Sequence, residues 1–247
     1  MNDQIRSWTE RIRAAAASGT ALCIRGGGSK DFYGRQPVGE ILATSGYSGI
    51  VSYEPSELVV TVRAGTRLAD LEAELAGRKQ MLAFEPPRFG VDSTVGGCVA
   101  AGLAGPRRAA VGGVRDFVLG ARIIDGRGEV LRGGGGVMRN VAGYDVSRVL
   151  AGSLGTLGLI VEVSLKVLPR PVAEATLRFE MDEAAALRQL NAWGGQPLPI
   201  SASAWRGGVL DLRLSGASAA VDAAIARLGG ESVPAEVAEA LWAGLRD

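Results

Sequence analysis

An α+β chain, with two α/β subdomains followed by a separate small β-α-β-β-α unit, is predicted by three observations. A short apolar strand, Leu22 to Arg25, runs straight into Gly26-Gly27-Gly28-Ser29-Lys30-Asp31. Further glycine-rich segments recur far along the chain, at STVGGCVAAGLAGP (residues 93–106) and at Gly152, Gly155 and Gly158. After Pro171 the glycine clusters thin out, and strand-like and helix-like patterns alternate on a new period.

Taken in order, residues 3–18 place Ile5, Trp8 and Ile12 on one helical face and stop at Gly19, a glycine helix end. The strand Leu22 to Arg25 follows, and its glycine loop offers successive N–H groups that suit an anion such as phosphate; an ordinary turn would read the same. Apolar runs Glu40 to Thr44, Ile50 to Glu54 and Leu58 to Arg63, separated by SGYSG and PSE, read as strands. Thr66 is positioned to cap a helix carrying Leu68, Leu71 and Leu75 on one face and ending near Gly77. Residues 1 to about 80 thus form a first α/β unit.

Gln80 to Phe84 is the next expected strand, and EPPRFG after it is held extended by two prolines. The small residues of 93–106 predict a helix whose backbone another helix or a flat ligand can approach closely. Val114 to Ile124 and Glu129 to Arg132 flank Asp-Gly-Arg-Gly, a hairpin signal. Gly133 to Gly136 link this hairpin to a short helix at Tyr144 to Leu150, and a long strand from Leu157 to Leu168 closes at Pro169 and Pro171. Beyond it, a strand Ala175 to Met181, a helix capped by Asp182 and reaching Trp193, a hairpin of Ile200 to Trp205 with Val209 to Leu214, and a helix Ala217 to Leu228 give a ferredoxin-like order, with a last helix from Pro234.

Composition narrows the function. With 27 basic and 26 acidic residues the formal charge is +1, which supplies no field for nucleic acid or anionic lipid. Cys23 and Cys98 sit in apolar or small-residue runs and read as buried thiols in a reducing, cytoplasmic compartment. The charged N-terminus and the interruption of the Leu154 to Leu168 run by Glu162 and Lys166 argue against a leader or a membrane span. The sequence contains no histidine, which removes His-based nucleophile activation, His-ligated metals and the commonest general base. Chemistry must then come from a cofactor. A nicotinamide fingerprint fails at Asp31, where its third glycine belongs, and no G-x-x-x-x-G-K-[ST] loop exists.

The RGGGSK loop, the EPPRFG–STVGG segment and the distal NVAGYDVSRVLAGSLGTLGLIVEVSLKVLP block resemble the PCMH-type FAD-binding domain of the vanillyl-alcohol oxidase superfamily over residues 20–170. Within that superfamily, EPPRFG, GPRRAAVGGVRDFVLGARIIDGRGEVLRGGGGVMRNVAGYD and LRLSGA are similar to the FAD-binding E subunits of bacterial glycolate oxidase (glycolate dehydrogenase). The resemblance implies a PCMH-type domain over 1–171, with subdomains 1–80 and 81–171, and a partial cap domain over 172–247 that looks shortened. It implies non-covalent FAD, with Arg25, Gly26, Gly27, Gly28, Ser29 and Lys30 at the pyrophosphate. Pro86, Thr94, Gly96, Gly97 and Gly102 would line the pyrophosphate, ribityl chain and flavin, and Gly155, Gly158 and Ile160 would meet the adenine end.

It also implies a heteromeric complex with a catalytic FAD subunit and an iron–sulfur subunit, peripheral at the inner membrane through those partners, that oxidises a small 2-hydroxy acid. Because related dehydrogenases use histidines near the flavin, the main catalytic site is expected on a partner; the alternative is an assembly subunit that keeps the fold without functional flavin. No catalytic residue is assigned. Arg88, Arg107 and Arg108 read as solvated cations before substrate-carboxylate ligands. Cys98 reads as a small buried thiol before a flavin link, and Asp145 as a helix start before a base. Glu85 stands as an open acid/base candidate.

Overall fold

The computed structural model describes residues 3–134 and 146–247. Gly135, Gly136, Tyr144 and Asp145 of the expectations above lie outside these residues. Helix α1 (Asp3–Ser18) buries Ile5, Trp8 and Ile12 and gives way to Gly19 at φ 69°. Strands β1 (Leu22–Arg25) and β2 (Glu40–Ala43) pair in parallel. They are followed by the antiparallel pair β3 (Ile50–Glu54) and β4 (Val59–Arg63). Helix α2 (Leu68–Gly77) buries Leu68, Leu71 and Leu75 as their spacing requires.

Thr66 does not cap α2. Its hydroxyl accepts from the Gly49 N–H at 2.9 Å and donates to the Arg63 carbonyl at 2.7 Å, and Arg67 holds the cap position with no side-chain bond. A hydroxyl engaged in one turn is lost to the next. Strand β5 (Gln80–Met81) is shorter than expected because Leu82, Ala83 and Phe84 leave the ladder and enter the core.

Helix α3 (Val95–Ala101) follows, then the single-turn helices α4 (Arg108–Val111) and α5 (Val114–Phe117). Strand β6 (Val118–Ile124) therefore begins four residues later than its apolar run suggests. Asp116 explains the difference: its carboxylate accepts the Gly113 N–H at 2.8 Å and closes a helical turn that apolarity alone does not reveal. The hairpin to β7 (Val130–Gly134) is tied by Asp125, which accepts the N–H groups of Glu129 and Arg127; these bonds hold its carboxyl below the usual range.

After α6 (Val146–Val149), strand β8 (Leu159–Lys166) completes a five-stranded sheet in the order β3-β4-β8-β6-β7. Strand β9 (Leu168–Pro169) pairs with β5. Strand β8 is central and buried on both faces. Ile160, Val163 and Leu165 meet α2 and α3, while Leu159 and Val161 join Ile5, Trp8 and Ile12 beneath α1.

The last unit is built from β10 (Ala173–Glu180), α7 (Glu183–Gly194), β11 (Ile200–Arg206), β12 (Val209–Gly216), α8 (Ser218–Leu228), β13 (Glu231–Ser232) and α9 (Ala235–Arg246). Its antiparallel sheet runs β11-β12-β10-β13, the ferredoxin-like order, with a fourth strand of only two residues. Alternation along β12 sends Leu210, Leu212 and Leu214 to one face, against Trp193 of α7 and Val221 of α8. Asp211 and Arg213 face the other way, where α9 lays Trp242 under Arg213 at 4.9 Å. Asp182 caps α7 by accepting the Ala185 N–H at 2.7 Å. Among the described residues no helix is long and apolar enough to cross a membrane.

Leu71 is fully buried between α2 and the sheet, whereas Leu187 on α7 is 57% exposed. Leu71→Ala should cost about 2–5 kcal/mol in urea unfolding, and Leu187→Ala less than about 0.5 kcal/mol.

Candidate functional site

Three chain segments far apart in sequence meet around one open groove. The first is the loop after β1. Gly26 and Gly27 sit so close to the segment before α3 that an added Cβ would lie 2.3 Å from the Thr94 hydroxyl and 1.6 Å from the Asp92 carbonyl oxygen, respectively. Gly28 has φ 74°, a conformation that suits glycine. Lys30 fastens the approach from the side, donating to the Ser93 hydroxyl at 2.9 Å and to the Arg88 carbonyl at 3.3 Å. Burial of this ammonium pulls its pKa below the ordinary lysine value.

The second segment is the start of α3. Thr94 caps the helix by accepting the Gly97 N–H at 3.2 Å. Gly96 fits because a side chain there would strike Ala64, whose Cβ would lie 2.7 Å away. The third segment is the turn 152–158, which hangs from the far end of the same helix. Gly152 and Leu154 donate to the Val99 and Ala100 carbonyls at 3.1 and 2.9 Å, satisfying groups that α3 leaves open. Gly102, at φ 68°, abuts Gly152 so closely that a Cβ would lie 2.7 Å from its nitrogen.

A register slip then aims β8. Arg122 pairs with Glu162 but Ile123 pairs with Ile160, leaving Val161 as an extra residue. The Val161 carbonyl accepts the Ala64 N–H at 2.8 Å, and Ile160 turns to the groove floor.

The groove has two connected parts. One is lined by Arg25 through Asp31 with Thr94 and Gly97; the other by Gly26, Gly96, Gly97, Gly155, Gly158 and Ile160. Of the residues singled out from sequence, Pro86 and Gly102 lie outside both linings. Pro86 is buried, and Gly102 serves the helix end. Ile24, Ala100 and Leu154 belong to both parts but carry no glycine signal; only their place beside the glycines could have marked them.

The polar groups differ in what they can offer. The amides of Gly26, Gly27, Gly28 and Ser29 have no acceptor among the described residues. Four consecutive free donors beside a groove make an anion nest. By contrast, Gly96 N–H is engaged by the Ala64 carbonyl at 2.8 Å and Gly97 N–H by Thr94, so these glycines provide closeness rather than donors. Arg25 is paired with Asp31 at 2.6 Å across the mouth of the loop, so its guanidinium has a competing partner already in place.

Several sequence expectations change. Arg107 is not a solvated cation: it is 5% exposed and bonds Glu174 at 2.6 Å. Arg88 pairs with Glu72, while Arg108 is exposed. Glu85 is not a free acid/base group, because its carboxylate accepts from the Arg107 backbone at 2.9 Å and the Arg213 guanidinium at 2.8 Å. Cys98 is buried as expected, but Cys23 is only half-buried and lines the groove.

Residues 5–134 match the family described as FAD binding domain. The chain is 48% identical over 245 residues to the glycolate oxidase subunit GlcE of Escherichia coli (strain K12), covering 99% of this chain and 69% of that protein. It is 32% identical over 171 residues to the glycolate oxidase subunit GlcD of Bacillus subtilis (strain 168), covering 68% of this chain but 35% of that one. It is also 32% identical over 139 residues to a D-lactate dehydrogenase of Anaerostipes hadrus, spanning 29% of that enzyme. Among solved structures, alkyldihydroxyacetonephosphate synthase superposes with a TM-score of 0.73 at 19% identity, over 96% of this chain and 55% of that one, and so shares the fold.

Burial pushes the Cys98 thiol up to about 12, because a thiolate there would lack solvation. Thiol alkylation of native protein at pH 8 should therefore modify Cys23 and leave Cys98 untouched until the protein is unfolded, as peptide mass mapping would show.

Proposed function

The chain belongs to the FAD binding domain family, and from that premise we propose that it is the flavin-binding subunit of a glycolate oxidase or dehydrogenase type complex. The carrying observation is the set of free amides at Gly26, Gly27, Gly28 and Ser29, placed on a groove that Gly97 and Gly155 extend. A pyrophosphate needs such donors and tolerates little side-chain bulk beside it. The residues present therefore fit FAD without any charged ligand being indispensable.

In this reading Gly26 to Ser29 hold the pyrophosphate by their N–H groups, and Lys30 adds positive charge while keeping the loop against Ser93. Thr94 fixes the start of α3, and Gly96 and Gly97 let the cofactor lie along it. Ile24 and Ile160 give an apolar floor, and Gly155 and Gly158 keep the far end clear of side chains. Arg25 joins the phosphates on exchanging Asp31 for them. Bound FAD supplies acceptance of two electrons from an organic donor and their release one at a time. The chain's own contribution is to bind, orient and shield.

The proposed division is a FAD-binding domain over 1–171, in subdomains 1–80 and 81–171, and a cap over 172–247. The hydrophobic clusters support it, since none mixes residues before Pro169 with residues after Pro171. The substrate proposed is a small 2-hydroxy acid. The names of the relatives, glycolate oxidase subunit and D-lactate dehydrogenase, support that class. Substrate oxidation at a partner flavin subunit, with electrons leaving through an iron–sulfur subunit, accords with a groove lining that holds no glutamate among the described residues and with the acid/base candidate Glu85 being committed to two arginines.

FAD present at 1,000 times its dissociation constant would stabilise the fold by roughly 4 kcal/mol, a shift easily seen in thermal melts. Gly27→Asp should abolish that shift, by steric conflict with Asp92 and by charge. Gly97→Val is the gentler variant, because its Cβ meets only the Thr94 hydroxyl at 3.2 Å. It should fold normally by circular dichroism yet bind FAD at least about tenfold more weakly, a loss of about 1.4 kcal/mol. FAD binding unchanged in Gly97→Val would refute the groove as the cofactor site.

A further inference from the structure

A second cleft, sharing no lining residue with the glycine groove, lies in the seam between the FAD-binding domain and the cap. It has a volume of about 390 Å³ and draws arginines from four separate parts of the chain: Arg88, Arg107, Arg170 and Arg246. Three carboxylates, Glu72, Glu85 and Glu174, also line it. Each of them is already committed to arginine. Glu72 takes Arg88 at 2.5 Å and Arg246 at 3.3 Å; Glu85 takes Arg213 at 2.8 Å; Glu174 takes Arg107 at 2.6 Å.

With Arg213, which serves Glu85, and Asp247, which Arg246 meets at 3.5 Å, five guanidinium groups stand against four carboxylates and leave one positive charge at the cleft. That charge is traceable to Arg170, which has no side-chain partner among the described residues and is anchored only through its backbone N–H to the Lys79 carbonyl at 2.8 Å. It stands at the junction of the two domains. Such an arrangement favours an anion of single charge, and the planar fork of arginine matches a carboxylate in two parallel hydrogen bonds. A dianion would overshoot the available charge and meet the three glutamates.

We propose that this cleft is a binding site for a small organic monocarboxylate, held by Arg170 with the rim arginines and bridging cap to FAD-binding domain. The seam is well suited to report such a ligand. Ionic and polar links cross it: Arg107 to Glu174, Arg213 to Glu85, Arg246 to Glu72, and the Arg88 N–H to Asp247 at 2.7 Å. An anion seated among them adds a tie where apolar packing contributes little, so binding raises the stability of the cap on its base.

The site is independent of the flavin reading, and its test is kept separate from it. The 247-residue chain, with and without added FAD, would be titrated with glycolate and with acetate by calorimetry and thermal melting at constant ionic strength made up with chloride. Inorganic phosphate serves as the dianion control. The expected result is a saturable, single-site response to the carboxylates, weak or absent with phosphate, and weakened at least tenfold in Arg170→Ala. Because that side chain has no partner to lose among the described residues, the variant should melt as the parent does without ligand; Arg170→Lys should recover part of the affinity. A response that only follows ionic strength overturns the proposal, as does one that phosphate matches or that Arg170→Ala retains. A failure of the flavin reading would appear instead as the absence of an FAD-induced shift, whatever the carboxylates do.

Discussion

The approach of three backbone segments to within side-chain distance of one another is the constraint on which the rest of the structure depends. Gly27 against the Asp92 carbonyl, Gly96 against Ala64 and Gly102 against Gly152 are contacts that admit no Cβ. Each removes a side chain from the interior of the fold and so forgoes apolar burial that a larger residue would contribute. What is obtained is a surface made of backbone, in which the donors of Gly26 to Ser29 are left uncommitted while their neighbours are bonded internally. Free donors in a folded chain are costly unless water or a ligand takes them, and four in succession beside a groove are the arrangement that an anion satisfies.

Helix α3 is the element that makes the convergence possible. Its N-terminal end receives the first glycine loop through Thr94 and Ser93, and its C-terminal carbonyls carry the turn 152–158. The helix is short, and its exposed face is made of glycine and alanine, so both ends lie within reach of one extended molecule. The sheet behind it supplies stiffness, with β8 buried on both faces and the extra residue at Val161 re-aiming Ile160 towards the groove.

The cap is attached by a different physics. Its hydrophobic core closes on itself through Leu177, Leu210, Leu212 and Leu214, and its polar sheet face turns Arg213 towards Glu85 of the other domain. Buried ion pairs of this sort fix an orientation more than they add stability, since desolvation offsets much of the attraction. Glu85, at φ 47°, accepts a backbone conformation uncommon for a side-chain-bearing residue in order to reach both arginines. A domain held through directional pairs has one seated position.

The amino-acid sequence by itself determined the order of nearly every element, the ferredoxin-like cap and the three glycine segments, because helical and strand periodicity and the backbone freedom of glycine are local properties. It misplaced Thr66 as a cap, started β6 early and extended β5 too far, because a hydroxyl, a carboxylate at Asp116 and the pull of the core at Phe84 each chose a partner that local pattern does not name. Only the tertiary structure decided which amides stay free, that Pro86 and Gly102 stand off the groove, that Arg107 is buried, and that Glu85 is clasped rather than available. The bonds of Glu85 with Arg107 and Arg213, and of Arg107 with Glu174, join residues 22 to 128 positions apart; they are formed by the path of the chain, and no short window of sequence contains both partners.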